Sequence, residues 1–231
     1  MTKKCVSCMS GGLDSFAISV LVNKRGYEIH PIIVNYGQRA KKEIEVAETL
    51  CNKMGFVSPL KINLGGDIEK MWSGLEAVDR NVRLQVNFHP AMLVPLRNVI
   101  FLVIAASYAL KIGAEAVCYG ALMDDIELFP DNRPEVAKIV EELVKYAHPP
   151  VYVHKLDVIS PATEGLAKHE LIKVVYGIVG DMLSETWSCR SSEDKHCGEC
   201  RSCLQRHEAF VKAGVPDKTE YLKKPILGGM M

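Results

Sequence analysis

An excess of either charge is what this sequence lacks. Lys and Arg number 28 and Asp and Glu number 28, so the formal net charge is zero. That balance supplies no bulk electrostatic pull toward nucleic acid or an anionic membrane surface. Long apolar runs are missing too: none is read as reaching the roughly 18 residues of a membrane span. The start, Met1-Thr2-Lys3-Lys4-Cys5, has no signal-peptide core, because glycines and Asp14 interrupt it at once. Internal repeats and low-complexity tracts are absent. These gaps argue against a membrane protein, a disordered chain or a fibrous one, and lead us to expect a cytoplasmic location. The 231 residues suffice for a core built without disulfides.

What is present alternates. Strand patterns at 3–10, 27–36, 56–64, 115–122 and 151–157 are separated by helical patterns at 13–24, 40–54, 96–112, 135–146 and 163–177. Pro31 and Pro59 weaken two of the strands. The stretch 65–90 reads as irregular or as an insertion. Residues 96–112 are apolar nearly all round, which suits a buried helix. Alternation of this kind predicts an α/β fold, a parallel twisted sheet with helices on both faces. A boundary near Asp181 divides the chain into a nucleotide-binding domain over 1–180 and a cysteine-rich segment over 181–231.

The first strand runs into Ser10-Gly11-Gly12-Leu13-Asp14-Ser15. In an open parallel sheet ligands bind beyond the carboxyl ends of the strands. Two glycines allow consecutive N–H groups to converge, and the following helix adds its free N–H groups and positive dipole. Ser10 and Ser15 contribute hydroxyls. The result is an anion cradle suited to pyrophosphate, although Asp14 and Ser15 also suit a plain strand-to-helix turn with caps. It is neither a Walker A loop nor G-x-G-x-x-G.

Of eight cysteines, four crowd into Cys189-x7-Cys197-x2-Cys200-x2-Cys203. Four thiolates at that spacing read as a tetrahedral metal site with no open position, hence structural Zn²⁺. An iron–sulfur cluster is the rival, and His196 is an alternative ligand. Cys5 and Cys8 have redox spacing, but strand alternation sends them to opposite faces, so burial is expected.

The S-G-G-x-D-S turn resembles the signature of the PP-loop ATP pyrophosphatases. The two motifs together resemble the 7-cyano-7-deazaguanine synthase (QueC) family over nearly the whole chain. Asn35-Tyr36-Gly37-Gln38-Arg39 with Glu43 and Glu45 is similar to its second-strand segment. Val94-Pro95-Leu96-Arg97-Asn98 is similar to its V-P-G-R-N, and Phe129-Pro130-Asp131-Asn132-Arg133-Pro134-Glu135 to its Y-P-D-C-R-P-E. Thr186-Trp187-Ser188-Cys189 and Cys197-Gly198-Glu199-Cys200-Arg201-Ser202-Cys203 are similar to its zinc tail. Leu96 in place of Gly, Asn132 in place of Cys, and Arg190 in place of the Tyr after the first zinc cysteine are departures.

The resemblance implies an ATP-dependent carbon–nitrogen ligase. It would turn 7-carboxy-7-deazaguanine and ammonia into 7-cyano-7-deazaguanine through an adenylated intermediate, with ATP-bound Mg²⁺ and structural Zn²⁺, as a homodimer. Residue by residue it assigns Ser10, Gly11, Gly12, Leu13, Asp14 and Ser15 to ATP, with Gln38 and Arg39 near its ribose or base. Arg97, Asn98, Asp131 and Arg133 fall to the substrate, Asp131 facing the guanine-like edge. Ser10, Asp14, Ser15, Arg97 and Asp131 form the expected catalytic set. Lys168, in a helix pattern beside Glu170, reads as a surface lysine first and as a residue reaching the phosphates second. Two other readings stay open. The altered loops fit a paralogue that hands the activated acid to a different amine. Arg190, Lys195, Arg201 and Arg206 around the cysteines fit a tRNA-binding zinc ribbon, although such charges usually form a solvated face and direct nucleic-acid contact is not expected.

Overall fold

The computed structural model describes residues 2–85, 87–148, 155–191 and 194–227. Among the described residues five parallel strands form one sheet in the order β3-β2-β1-β4-β5. They are β1 (Lys3–Cys8), β2 (Tyr27–Asn35), β3 (Leu60–Asn63), β4 (Ala116–Cys118) and β5 (Asp157–Ile159). Between them lie α1 (Leu13–Lys24), α2 (Lys42–Lys53), α3 (Gly65–Met71), α4 (Arg97–Ile112) and α5 (Pro134–Ala147). After β5 come α6 (Lys168–Val179) and α7 (Arg201–Ala213). The expected parallel α/β architecture is therefore present.

Both sheet faces are covered, which is why β4 (Ala116-Val117-Cys118) and Ile32-Ile33-Val34 of β2 are apolar without alternation. On one face Leu102, Ala105, Ala106 and Ala109 of α4 and Ala137 and Val140 of α5 pack with Val6, Val117 and Val158. On the other, Leu13, Phe16 and Val20 of α1 meet Leu50 of α2, Leu171 and Val175 of α6, and Phe210 of α7. Residues from either side of position 180 thus share one core.

Several boundaries differ from the sequence reading. Pro31 sits inside β2, opposite Ser7 of β1. Met9 donates to the Ile32 carbonyl and Val57 to that of Ile29, so alternate residues turn to opposite neighbours. The nitrogen of Pro31 accordingly faces β3, where pairing starts only at Ile32–Leu60, and no ladder bond is lost. Strands β3 and β4 are shorter than expected. Of the strand expected at 151–157, residues 151–154 lie outside the described ones, and β5 begins at Asp157. The 65–90 stretch, expected to be irregular, opens with α3.

Helix α4 requires two corrections. The segment Pro90–Ile112 is long and apolar enough to cross a membrane, at a mean hydropathy of 1.8, contrary to the expectation that no run reaches that length. Nor is the helix wholly buried, because Val103 and Ser107 face outward while Leu102, Ala105, Ala106 and Ala109 face the core. Its first turn is entered through Leu96 at φ 55°, the one non-glycine residue with positive φ among the described residues. A β-carbon in that region costs about 1–2 kcal/mol, and Leu96 is 65% exposed, so its side chain packs little. Replacing Leu96 with Gly is therefore expected to stabilise the protein by about 1 kcal/mol, less whatever the freer unfolded chain takes back. Thermal denaturation should show a rise of about 2–4 °C. An unchanged or lower midpoint would show that Leu96 is not strained.

Candidate nucleotide and substrate cavity

Chain order puts the switch point between β1 and β4. β1 leads through α1 toward β2 on one side, and the chain returns through α4 to β4 on the other. A crevice at that point is where such sheets bind ligands. There a cavity of about 340 Å³ opens between the glycine turn, the α4 start and the cysteine-rich segment.

The glycine turn is tightly built. Gly11 has φ 83°, and a β-carbon on it would lie 2.1 Å from the Glu43 carbonyl oxygen at the start of α2. Ser10 and Ser15 share a hydroxyl–hydroxyl bond of 2.9 Å, and the Gly12 N–H donates to Ser10 Oγ. Gly120, just past β4, lets that strand end approach the Ser15 nitrogen, where a β-carbon would come within 2.7 Å. Across the turn, Lys168 Nζ meets Asp14 Oδ2 at 3.0 Å. The surface reading of Lys168 is thereby corrected: α6 begins at this residue and delivers it into the cavity wall. The other Asp14 oxygen, Oδ1, is buried with no hydrogen-bond partner among the described residues. Asp125 stands nearby, its carboxyl raised by burial and by Asp14, with Lys168 opposing.

At the far end of the cavity lie Tyr36, Glu43, Arg97 and Arg190. Burial pushes the Glu43 carboxyl up to about 7 against the pull of Arg97 and Arg190. Burial also opposes the Arg97 charge, but Tyr36, Asp131 and Glu43 more than restore it. Arg190 is fixed from behind by Glu76, fully buried and 2.6 Å away, and by Ser202. Phe101 packs on Tyr36 with ring centroids 5.4 Å apart.

Ser10, Gly12, Leu13, Asp14, Ser15, Gln38, Arg39, Arg97 and Asn98 all line the cavity. Gln38 spends its carboxamide on the Tyr36 N–H and the Val34 carbonyl, and Arg39 donates to the Val82 carbonyl. Asp131 accepts the Asn98 N–H at the α4 start, and the Asn98 side chain bonds Asn132. Neither Asp131 nor the exposed Arg133 is among the lining residues. The sequence does not single out Glu76, and it places Glu43 only within the second-strand segment and Arg190 only as a family departure and one of the basic residues near the cysteines. The signal for Arg190 was there: it follows a cysteine of the cluster, whose place in the fold fixes its neighbour.

The four clustered sulfurs lie within 4.8 Å of one another. A tetrahedral ion with metal–sulfur bonds of about 2.3 Å needs sulfurs roughly 3.8 Å apart, and Cys197 and Cys203 stand at 3.9 Å. The Cys200 N–H points to Cys197 Sγ at 3.2 Å. Gly198, at φ 80°, leaves no room for a side chain against Lys223. His196 is occupied elsewhere, its Nε2 taking the Ser188 N–H and its ring stacking on Trp187. The Trp187 N–H donates to the Gly11 carbonyl at 2.9 Å, tying the cysteine segment to the glycine turn. Of the basic residues around the cysteines, Arg206 is fully buried, Arg190 pairs with Glu76, Arg201 lines the cavity and Lys195 pairs with Glu220 on the surface.

A glycine turn at the switch point of a doubly covered parallel sheet, with a cavity beyond the strand ends, places the molecule among the open α/β proteins that bind ligands at that crevice. The family model described as queuosine biosynthesis protein QueC matches residues 4–214. The 7-cyano-7-deazaguanine synthase of Methanobrevibacter smithii is 35% identical, with 96% of this chain and 99% of that protein covered. That of Thermoplasma acidophilum is 34% identical, covering 96% and 94%. The 7-cyano-7-deazaguanine synthase 2 of Colwellia psychrerythraea is 32% identical, covering 95% and 99%. The chain belongs to the QueC family.

Proposed function

We propose that the protein converts 7-carboxy-7-deazaguanine and ammonia to 7-cyano-7-deazaguanine at the expense of ATP. Family membership supplies the substrate class, and the Ser10–Ser15 turn facing Lys168 is the observation that carries the mechanism. Main-chain N–H groups of Gly11, Gly12 and Leu13, with the Ser10 and Ser15 hydroxyls, hold the β- and γ-phosphates at the α1 N-terminus. Lys168 offsets charge that builds on the phosphate oxygens as pyrophosphate leaves. The carboxylate oxygen attacks the α-phosphorus, giving an acyl adenylate and pyrophosphate. Ammonia displaces AMP and loses a proton, leaving the amide. The amide oxygen then attacks a second ATP, again releasing pyrophosphate. Departure of AMP with loss of both N–H protons of the activated amide yields the nitrile. Arg97 and Asn98, opening α4 beside the turn, face the reacting acid.

The unpartnered Asp14 Oδ1 fits the Mg²⁺ that accompanies ATP, which when bound neutralises phosphate charge. Cys189, Cys197, Cys200 and Cys203 fit Zn²⁺ in a structural role, since four thiolates leave it no open position. In this reading residues 1–180 form the nucleotide-binding unit and 181–231 the metal-binding segment of a cytoplasmic homodimer. Gln38 and Arg39 shape the wall near the ribose or base.

The test is incubation of purified protein with the acid, ATP and ammonium, followed by AMP quantification and mass spectrometry for the nitrile. AMP released without nitrile would instead favour transfer to another amine, a reading motivated by Asn132 and Arg190, two departures that both line the cavity. Lys168→Met is expected to cut AMP release by about 100-fold, within the range of a lost charge-stabilising donor. Parity with wild type would remove Lys168 from the mechanism.

A further inference from the structure

The sequence offered Asp131 for the guanine-like edge, yet its carboxylate is engaged at the α4 start and lies off the cavity wall. Another carboxylate occupies the position that task requires. Glu43 lines the cavity half-buried, and the influences on its carboxyl are burial and the charges of Arg97 and Arg190 rather than a side-chain hydrogen bond. Its backbone is locked, because its carbonyl packs on Gly11. A carboxylate in a half-buried wall gains from a ligand that brings hydrogen-bond donors to it. Arg97 and Arg190 face it from two other elements. Arg190 is neutralised from behind by Glu76, which leaves Glu43 and a guanidinium as the pair presented to a ligand. Tyr36, Phe101, Met92 and Phe129 supply apolar walls suited to a flat ring.

We propose that Glu43 reads the 2-amino-lactam edge of the deazaguanine ring. Its carboxylate accepts from the ring N–H and the exocyclic amine, while Arg97 or Arg190 donates to the neighbouring carbonyl oxygen. That edge carries two donors beside one acceptor, the complement of a carboxylate beside a guanidinium. The assignment rests on the substrate class proposed above. It gives Glu43 a recognition role, distinct from that of a base for the incoming ammonia.

The experiment is calorimetry on full-length, metal-loaded protein saturated with a non-hydrolysable ATP analogue. The titrants are 7-carboxy-7-deazaguanine and the same acid lacking the 2-amino group. Wild type is expected to prefer the amino form by about 10- to 100-fold, the worth of hydrogen bonds to a charged group. Glu43→Gln should erase most of that preference and weaken the amino form, with nucleotide affinity unchanged as proof of folding. Should Glu43→Gln fold poorly, Glu43→Asp, which keeps the charge on a shorter arm, should show an intermediate preference. Full preference retained in either variant overturns the assignment. Unchanged acid binding with slowed amide formation does so too, and returns Glu43 to proton transfer. If wild type binds the nucleotide analogue but neither acid, the substrate class itself is wrong and the assignment falls with it.

Discussion

Gly11→Ala is expected to abolish nucleotide binding, with affinity falling at least about 100-fold by calorimetry. Two effects combine at this position. A positive φ costs an alanine about 1–2 kcal/mol. In addition its β-carbon would sit 2.1 Å from the Glu43 carbonyl and 2.9 Å from the Ala47 nitrogen, both rigid helix backbone. Either the turn or the first turns of α2 must move. The N–H groups of a phosphate cradle act together, so a displacement near 1 Å misaims several donors at once. Gly55 separates the two effects. Its φ is 65° and nothing lies within 4 Å of its would-be β-carbon. Gly55→Ala should therefore lose about 1 kcal/mol of stability and keep its nucleotide affinity. Comparable binding losses in both variants would mean that global stability, not the cradle, limits nucleotide affinity.

The parts of the site legible in the sequence are those built by neighbours in the chain. Ser10 to Ser15 make their own bonds within six residues, and the four cysteines bring their sulfurs together within fifteen. Strands β1 and β2 and helices α1 and α2 were also readable, since their apolar spacing is a local property. The far end of the cavity is different. Tyr36 follows β2, Glu43 sits in α2, Arg97 opens α4 and Arg190 follows Cys189. Only the crossover from β3 to β4 and the docking of α7 bring them together, and no spacing in the sequence encodes that meeting. Lys168 was misread for the same reason. Beside Glu170 in an amphipathic pattern it looks solvated, yet Ala167 ends the preceding extended segment and points the first turn of α6 at Asp14. The three-residue strands β4 and β5 were placed with wrong limits because sheet pairing, rather than propensity, sets strand length at that side. Leu96 shows the reverse case. A departure from the family pattern visible in the sequence proves to carry a backbone conformation that glycine adopts without cost.

Cys203→Ser, or extraction with a strong chelator, is expected to release the bound metal and lower the melting midpoint by at least about 10 °C. Sites of this type carry roughly 10–16 kcal/mol of apparent binding free energy in small zinc domains, and that energy is folding energy. Here it reaches further than the tail. Cys203 is fully buried on α7, whose Phe210, Ala209 and Ala213 pack with Leu13, Phe16 and Leu171. Undocking α7 would strip one side of that cluster, at about 25 cal/mol for each Å² of apolar surface returned to water. It would also free Trp187, whose main-chain N–H holds the Gly11 carbonyl and whose indole N–H bonds Cys189. Nucleotide affinity should then fall together with metal content, although none of the four clustered cysteines lines the cavity. Metal analysis by mass spectrometry, scanning calorimetry and nucleotide titration on the same samples give the three readings. A metal-free protein that melts at the wild-type temperature would show that the thiol cage is not a structural site. One that melts earlier but binds nucleotide unchanged would break only the link through Trp187.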